Sequence, residues 1–222
     1  MFKIEHTFKD HKLERVMVDG KRHYLTPDGN KYPSVTTVLS SLNRQAINEW
    51  RDRVGHDEAQ KIVTQASRRG TAVHLLCEKY VANDPDWAVG AMPANIDTFK
   101  SIKKYLDQWC DVVYASELQL YSDELKTAGT CDLIARIHGI RTVGDFKTSR
   151  KLKEKDWILN YFYQCAAYAI MLQEREGVWC PQICLMIATD NDGLQVFLEH
   201  TADYVKDVKQ FFKDHHNQLL TL

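Results

Sequence analysis

The chain has 222 residues, 44% of them hydrophobic and 27% charged, with a formal net charge of −1. That length suits one to one and a half domains with an ample core, and no apolar run approaches the ~18 residues that a membrane span needs. The near-zero charge excludes a global basic field, so any polyanion must be held by local patches.

The stretch Met1-Phe2-Lys3-Ile4-Glu5-His6 lacks the long apolar core of a secretion signal and is too acidic, and too poor in Ser and Arg, for a transit peptide. Residues 13 to 36 read as short strands joined by Asp19-Gly20 and Asp28-Gly29 turns, with Val16-Met17-Val18 and His23-Tyr24-Leu25 as the first hairpin. Helical patterns follow: Ala46 to Val54, broken at Gly55-His56; a segment capped by Asp57 and running to about Arg68; and, after punctuation by Gly70, Thr71 to Val81. Asn95 to Trp109 carries apolar residues at helical spacing. Strand signals come next at Val112 to Tyr121 and in the hairpin that ends near Lys147. Tyr161 to Glu176 reads as a helix stopped by Gly177, Gln182 to Thr189 and Leu194 to Glu199 as strands around Asn191-Asp192-Gly193, and Asp203 to Leu219 as a closing amphipathic helix. This order predicts an α/β fold, a central mixed β-sheet flanked by helices, with an N-terminal hairpin and helical segment. One domain is expected, divided into residues 1–69, 70–200 and 201–222.

The chemistry centres on residues 129 to 147. A two-residue loop at His138-Gly139 pairs Ile137 with Ile140, and counting outward sets Asp132 opposite Asp145, with Lys147 on the face of Asp145. Like charges directly opposed destabilise a sheet. The pair therefore predicts something positive between the two acids, and a hard divalent cation such as Mg²⁺ or Mn²⁺ is the natural candidate. His74 and Glu78 stand at i, i+4 and share one helix face, opposite a core-facing stripe of Val73, Leu76 and Cys77; the alternative is an exposed ion pair. Gln164 and Tyr168 share another helix face in a small, apolar setting where a glutamine wants a specific partner; the alternative is a core tyrosine beside an exposed amide. The six cysteines include no C-x-x-C pair and are expected to be reduced and buried.

In this order, Gly70…His74…Glu78, Gly129…Asp132, Asp145-Phe146-Lys147-Thr148 and Gln164…Tyr168 resemble the RecB-type branch of the PD-(D/E)xK nuclease superfamily, over roughly the middle half of the chain. Tyr32 to Leu39, with Trp50-Arg51 and Arg69-Gly70, adds a likeness to phage exonucleases and to the mitochondrial genome maintenance exonuclease. Cys131 stands where the founding motif has Pro, and Asp145 where it has Glu.

The resemblance implies a restriction endonuclease-like core and a Mg²⁺-dependent DNA exonuclease, with Mn²⁺ as a substitute and single-stranded DNA or DNA ends as substrate, in replication, repair or recombination. The alternatives are a duplex-specific recombination exonuclease, a structure-specific endonuclease or a non-catalytic nucleic-acid-binding module. The implied catalytic residues are Asp132, Asp145, Lys147, Glu78 and Gln164. The implied metal ligands are His74, Asp132, Asp145 and the carbonyl of Phe146. Tyr168 would contact substrate. The basic stretch Thr148, Ser149, Arg150 and Lys151 suits backbone phosphates, or is a solvated loop. Trp50 and Arg51, with Arg53, Arg68 and Arg69, form a second basic-aromatic region suited to unpaired bases, unless Trp50 joins Ile47 and Val54 in the core. Ser34 and Thr36 bind phosphate or form a turn. Glu117 is either a supporting acid or part of a solvated strand. Some relatives carry an iron–sulfur cluster, which needs four convergent thiolates; none is expected here. A helicase, recombinase or single-strand-binding protein would be a separate partner, and no membrane is involved. The expected location is the cytoplasm of a bacterium or phage-infected cell, with the mitochondrial matrix as the alternative.

Overall fold

Two turns read from the sequence organise the sheets. Asp19-Gly20 and His138-Gly139 both place two successive residues at positive φ, the mirror-image turn whose twist suits a two-residue hairpin. They set Val18 against Lys21 and Ile137 against Ile140. The computed structural model describes residues 1–5 and 8–220. Strand β1 (Lys3–Ile4) is followed by a small antiparallel sheet of β2 (Glu14–Val18), β3 (Lys21–Leu25) and β4 (Lys31–Pro33), then by α1 (Val35–Leu39) and α2 (Arg44–Val54).

Helix α3 (His56–Val81) runs without interruption through Gly70, where the sequence predicts a break between two helices. A glycine inside a helix costs only about 1 kcal/mol, and burial of Val73, Leu76, Cys77 and Val81 from the same helix outweighs it. The predicted cap at Asp57 is also displaced. Gly55, at φ 92°, occupies the N-cap, and Asp57 lies in the first turn, where a negative charge still complements the helix dipole.

The remaining elements are α4 (Pro93–Trp109), β5 (Cys110–Ser122), β6 (Thr127–Ile137), β7 (Ile140–Ser149), α5 (Leu159–Glu176), β8 (Gln182–Thr189), β9 (Leu194–His200) and α6 (Ala202–Leu220). The central sheet is mixed and six-stranded, in the order β1-β5-β6-β7-β8-β9, with β1–β5 and β7–β8 parallel and the other pairs antiparallel. Helices cover both faces, as the alternation of buried strands requires. Ile183, Leu185 and Ile187 join the core under α5, whereas Cys184, Met186 and Ala188 join the core under α3 and α4. Among the described residues no helix is long and apolar enough to cross a membrane. All six cysteines are free and buried.

The alternation slips at one place. Cys131 and Ile134 both face the α5 side, and Leu133 and Ala135 face the other, so β6 changes parity at Asp132. On β5 the neighbouring irregularity falls at Glu117, whose φ is 51°. The β5–β6 ladder pairs Ser116 with Leu133 and Leu118 with Cys131, and the β6–β7 ladder ends at Leu133–Gly144. Glu117, Asp132 and Asp145 therefore lie level across three strands, in a row where the regular pairing opens. The hairpin register is as the turn dictates, but the acids do not close it as a ladder pair. Instead the Asp132 Oδ2 atom accepts the backbone N–H of Phe146 at 3.1 Å.

Candidate active site

Glu117 and Asp132 of the opened row line a cavity of about 470 Å³, together with Lys147 and Gln164, which touch the buried Asp145. From α3, His74 Nε2 donates to Glu117 Oε1 at 2.8 Å and lies 3.7 Å from Asp132 Oδ1. From α5, Gln164 Nε2 donates to Asp145 Oδ1 at 2.9 Å, so the conspicuous glutamine has its partner. The Lys147 ammonium forms an ion pair with Asp145 Oδ2 and lies over the Tyr161 ring, 5.0 Å from its centroid. The Tyr168 hydroxyl approaches Gly129 so closely that a Cβ there would lie 2.6 Å from it. Only glycine leaves room for the ring beside β6.

Burial and mutual charge set the protonation of this group. Burial, together with the negative charge of Asp145, pushes the Asp132 carboxyl up to about 7, against the opposing pull of Lys147 and His74. Burial alone would lower His74, but its hydrogen bond to Glu117 and the charge of Asp132 more than offset this and raise it to about 9. Burial also opposes the charged form of Lys147, yet Asp145 and Asp132 hold the ammonium above its ordinary range. Without a cation the cluster thus holds extra protons.

His74, Glu117 and Asp132 present ligand atoms within 4.8 Å of one another and could hold a metal ion. The donor set fits one: carboxylate oxygens suit hard divalent ions, and the imidazole widens the choice among transition metals. Asp145, predicted as a ligand beside Asp132, is not in this group: its buried Oδ2 is held by the Lys147 ammonium.

The structure moves several predicted residues away from this centre. The carboxylate of Glu78, expected to act with His74, makes no hydrogen bond or ion pair among the described residues, and Glu78 does not line the cavity. Glu117 takes its place, because the backbone irregularity on β5 turns that acid toward α3. Ser34 is buried and caps α1 by accepting the N–H of Thr37 at 3.1 Å, so it offers nothing to a phosphate. Thr36 does line the cavity and accepts a hydrogen bond from Arg22 at 2.6 Å. Trp50 and Arg51 sit on α2, which has no buried residue, and neither lines the cavity; Trp50 is half-buried and does not join a core. Arg69 is paired with Asp190. Ser149 is buried and its hydroxyl closes the following turn on Lys151 O at 2.6 Å. Arg150 reaches Gln65 at 3.4 Å, Lys151 is exposed, and Thr148 lines a smaller cavity of about 240 Å³ that also meets His74 and Lys147. Phe146 packs its ring into the α3 core and gives the site its N–H.

Sequence reasoning missed the opposite wall. Arg15 and Arg22 from the small sheet, Thr130 from β6, and Asn160 and Tyr161 from α5 all line the main cavity. Nothing in local periodicity distinguishes those arginines from other polar residues of a half-exposed hairpin.

No protein-family model matches the chain, and no curated protein does. Two solved structures are similar in chain path. One, from Eubacterium rectale and provisionally named an exonuclease, has 13% identity and a TM-score of 0.49 over 68% of this chain and 66% of its own. The other, named only by a locus number, has 16% identity and a TM-score of 0.32 over 64% of this chain and 74% of its own. The chain spans just under two thirds of the length of the first of these, and likeness at this level leaves the functional reading to the geometry of the site.

Proposed function

We propose that the chain is a metal-dependent deoxyribonuclease of the PD-(D/E)xK type, an exonuclease acting on single-stranded DNA or DNA ends with Mg²⁺. The observation that carries this reading is the convergence of Asp132, Lys147, His74 and Gln164 on one open cavity, with the buried Asp145 bound to both Lys147 and Gln164. A phosphodiester repels hydroxide, so a site that cleaves it must supply positive charge and an activated water.

Asp132, Glu117 and His74 would hold the ion, with Asp145 beside them. When bound, Mg²⁺ neutralises phosphate charge and lowers the pKa of a water. Gln164 fixes the Asp145 carboxylate by its 2.9 Å hydrogen bond. Lys147, a compact point charge, orients the attacking water and offsets charge developing on the phosphate. Glu117 meets the same Nε2 atom of His74 that approaches Asp132, so their hydrogen bond would give way to an ion shared by the three side chains. Arg15 and Arg22 face the substrate from the far wall, where their guanidinium groups suit phosphate oxygens. All 222 residues serve as one nuclease domain, with residues 1–69 as the substrate-binding region.

The test is digestion of 5′- and 3′-labelled single strands and duplexes with Mg²⁺ and with Mn²⁺, quenched by EDTA. Metal-dependent release of nucleotides from linear strands, with closed single-stranded circles resistant, is the expected result. Absence of any metal-dependent cleavage removes the reading, and cutting of circles replaces it with an endonuclease.

A further inference from the structure

We infer that the protein carries a second nucleic-acid site, a basic track between the small N-terminal sheet and α6 that holds the phosphodiester backbone of a single strand away from the scissile bond. The inference rests on the nuclease reading for the identity of its ligand. A cavity of about 500 Å³ is lined by Lys21, Lys31, Arg44, Lys126 and His215, with Asp19 as its one acid. A second cavity of about 390 Å³ adjoins it, sharing Lys126 and His216, and adds Lys206, Lys209 and Lys213. Its one acid, Glu124, is neutralised by Lys209 at 2.7 Å. Lys21, Lys31, Arg44, Lys126, Lys206 and Lys213 are exposed and form no ion pair among the described residues. In a chain whose net charge is −1, this is a concentrated local excess.

Strand β3 joins the track to the active site. Its residues alternate faces: Arg22 lines the main cavity, and its neighbours Lys21 and His23 line the basic one. Ser40, just beyond α1, borders both. A strand leaving the metal cluster past Arg22 and Thr36 therefore meets Lys21 and Arg44 next. A small anion would occupy one end of such a surface. Cations spread from β3 to α6 match the repeated charge of an extended backbone. The depressed affinity of His215 for a proton, caused by burial and by the charges of His216, Lys21 and Arg44, agrees with cations converging there from three elements.

The experiment measures binding of a long fluorescent single-stranded DNA in EDTA, as a function of salt, for the wild type and for Lys21→Gln/Lys31→Gln/Lys126→Gln. A charge-reversed Lys→Glu version is the second variant, and thermal melting checks the fold of both. The expected result is weaker binding and a log–log salt slope shallower by about 2 for the loss of three phosphate contacts. Cleavage of an oligonucleotide too short to leave the main cavity falls much less than cleavage of the long strand. Wild-type affinity and slope in both folded variants overturn the inference while leaving the nuclease reading intact. Lysine-dependent binding by a wild type that never cleaves DNA sinks the nuclease reading and leaves the track. Binding of anionic lipid vesicles or of an acidic protein, with none of DNA, overturns the inference as well.

Discussion

Glu117 lies level with Asp132 in the β5–β6 register, and its carboxylate, not that of Glu78, accepts the hydrogen bond of His74 at 2.8 Å. Glu117 is one of the three side chains that could hold the ion, and loss of a ligand is expected to cost at least what loss of a supporting carboxylate does, about 10- to 100-fold in metal affinity or activity. Glu117→Gln is therefore expected to lower metal affinity and turnover by that order, and Glu78→Gln to leave both within about twofold of the wild type. Metal titrations of activity on the two variants check this. Equal losses would return Glu78 to the site.

Asp145 and Lys147 form a pair in which the acid is almost wholly buried and the lysine side chain is 23% exposed. Asp145→Asn and Lys147→Ala are each expected to abolish cleavage with the fold retained. Lys147→Ala leaves a buried carboxylate without its cation, which costs about 3 kcal/mol at neutral pH, the low end for a buried pair because the lysine side chain is partly exposed. Adding Asp145→Asn to Lys147→Ala should recover most of that loss. Denaturant melts of the single and double variants measure it, and a wild-type cleavage rate in either single variant would refute the assignment.

The pH dependence has a definite sign. Asp132 rises from 3.8 to about 7 in the folded chain, chiefly through burial and then through Asp145, so its contribution to metal-free stability is complete below about 3.8 and is lost as pH climbs through 7. His74 rises from 6.5 to about 9, burial being outweighed by Glu117 and Asp132, so its contribution is present below about 6.5 and is lost as pH climbs through 9. A cation must displace those protons. The gain in melting temperature on adding Mn²⁺ is thus expected to grow between about pH 5 and pH 9, and calorimetry in two buffers of different ionisation enthalpy should reveal proton release. A gain that is flat across that range would mean that the ion binds elsewhere.

Gly129 faces the Tyr168 hydroxyl with no room for a methyl group. Gly129→Ala is expected to destabilise the protein by about 1–3 kcal/mol through overpacking and to displace the ring from the cavity wall. Tyr168→Phe removes the atom of closest approach, at 2.6 Å, but leaves ring carbons at 3.0 and 3.2 Å. The double variant should therefore regain only part of the stability. Thermal melts of the two singles and the double test the coupling, and strict additivity would mean that the two residues do not touch.

Much of the site was legible because short-range chemistry dictates it. His138-Gly139 demands a two-residue turn, the turn sets the register, and the register sets Asp132 level with Asp145. Gln164 announced itself as an amide in an apolar run. The parity change at Asp132 and the positive φ of Glu117 were not legible. They arise where three acids share a row and the sheet opens to relieve them, a cost that appears only once β5 lies beside β6. Gly70 misled in the opposite way. Its helix-breaking tendency is worth about 1 kcal/mol, too little to resist the packing of a long helix on β7. Arg15 and Arg22 gave no local sign, because their importance comes from the fold of the small sheet over the cavity.

The unbroken course of α3 has a mechanical consequence. At about 1.5 Å per residue its 26 residues make a rod of about 39 Å. Its N-terminal half stands largely in solvent with Ala59 as the one fully buried side chain, while its C-terminal half is clamped against the sheet and carries His74. Anything that seizes the free end pulls on a lever whose fulcrum lies near Gly70, just before the first buried residue of the clamped half, Val73. A kink engineered there, by proline, would disconnect the two arms and uncouple the imidazole from whatever the outer arm grips.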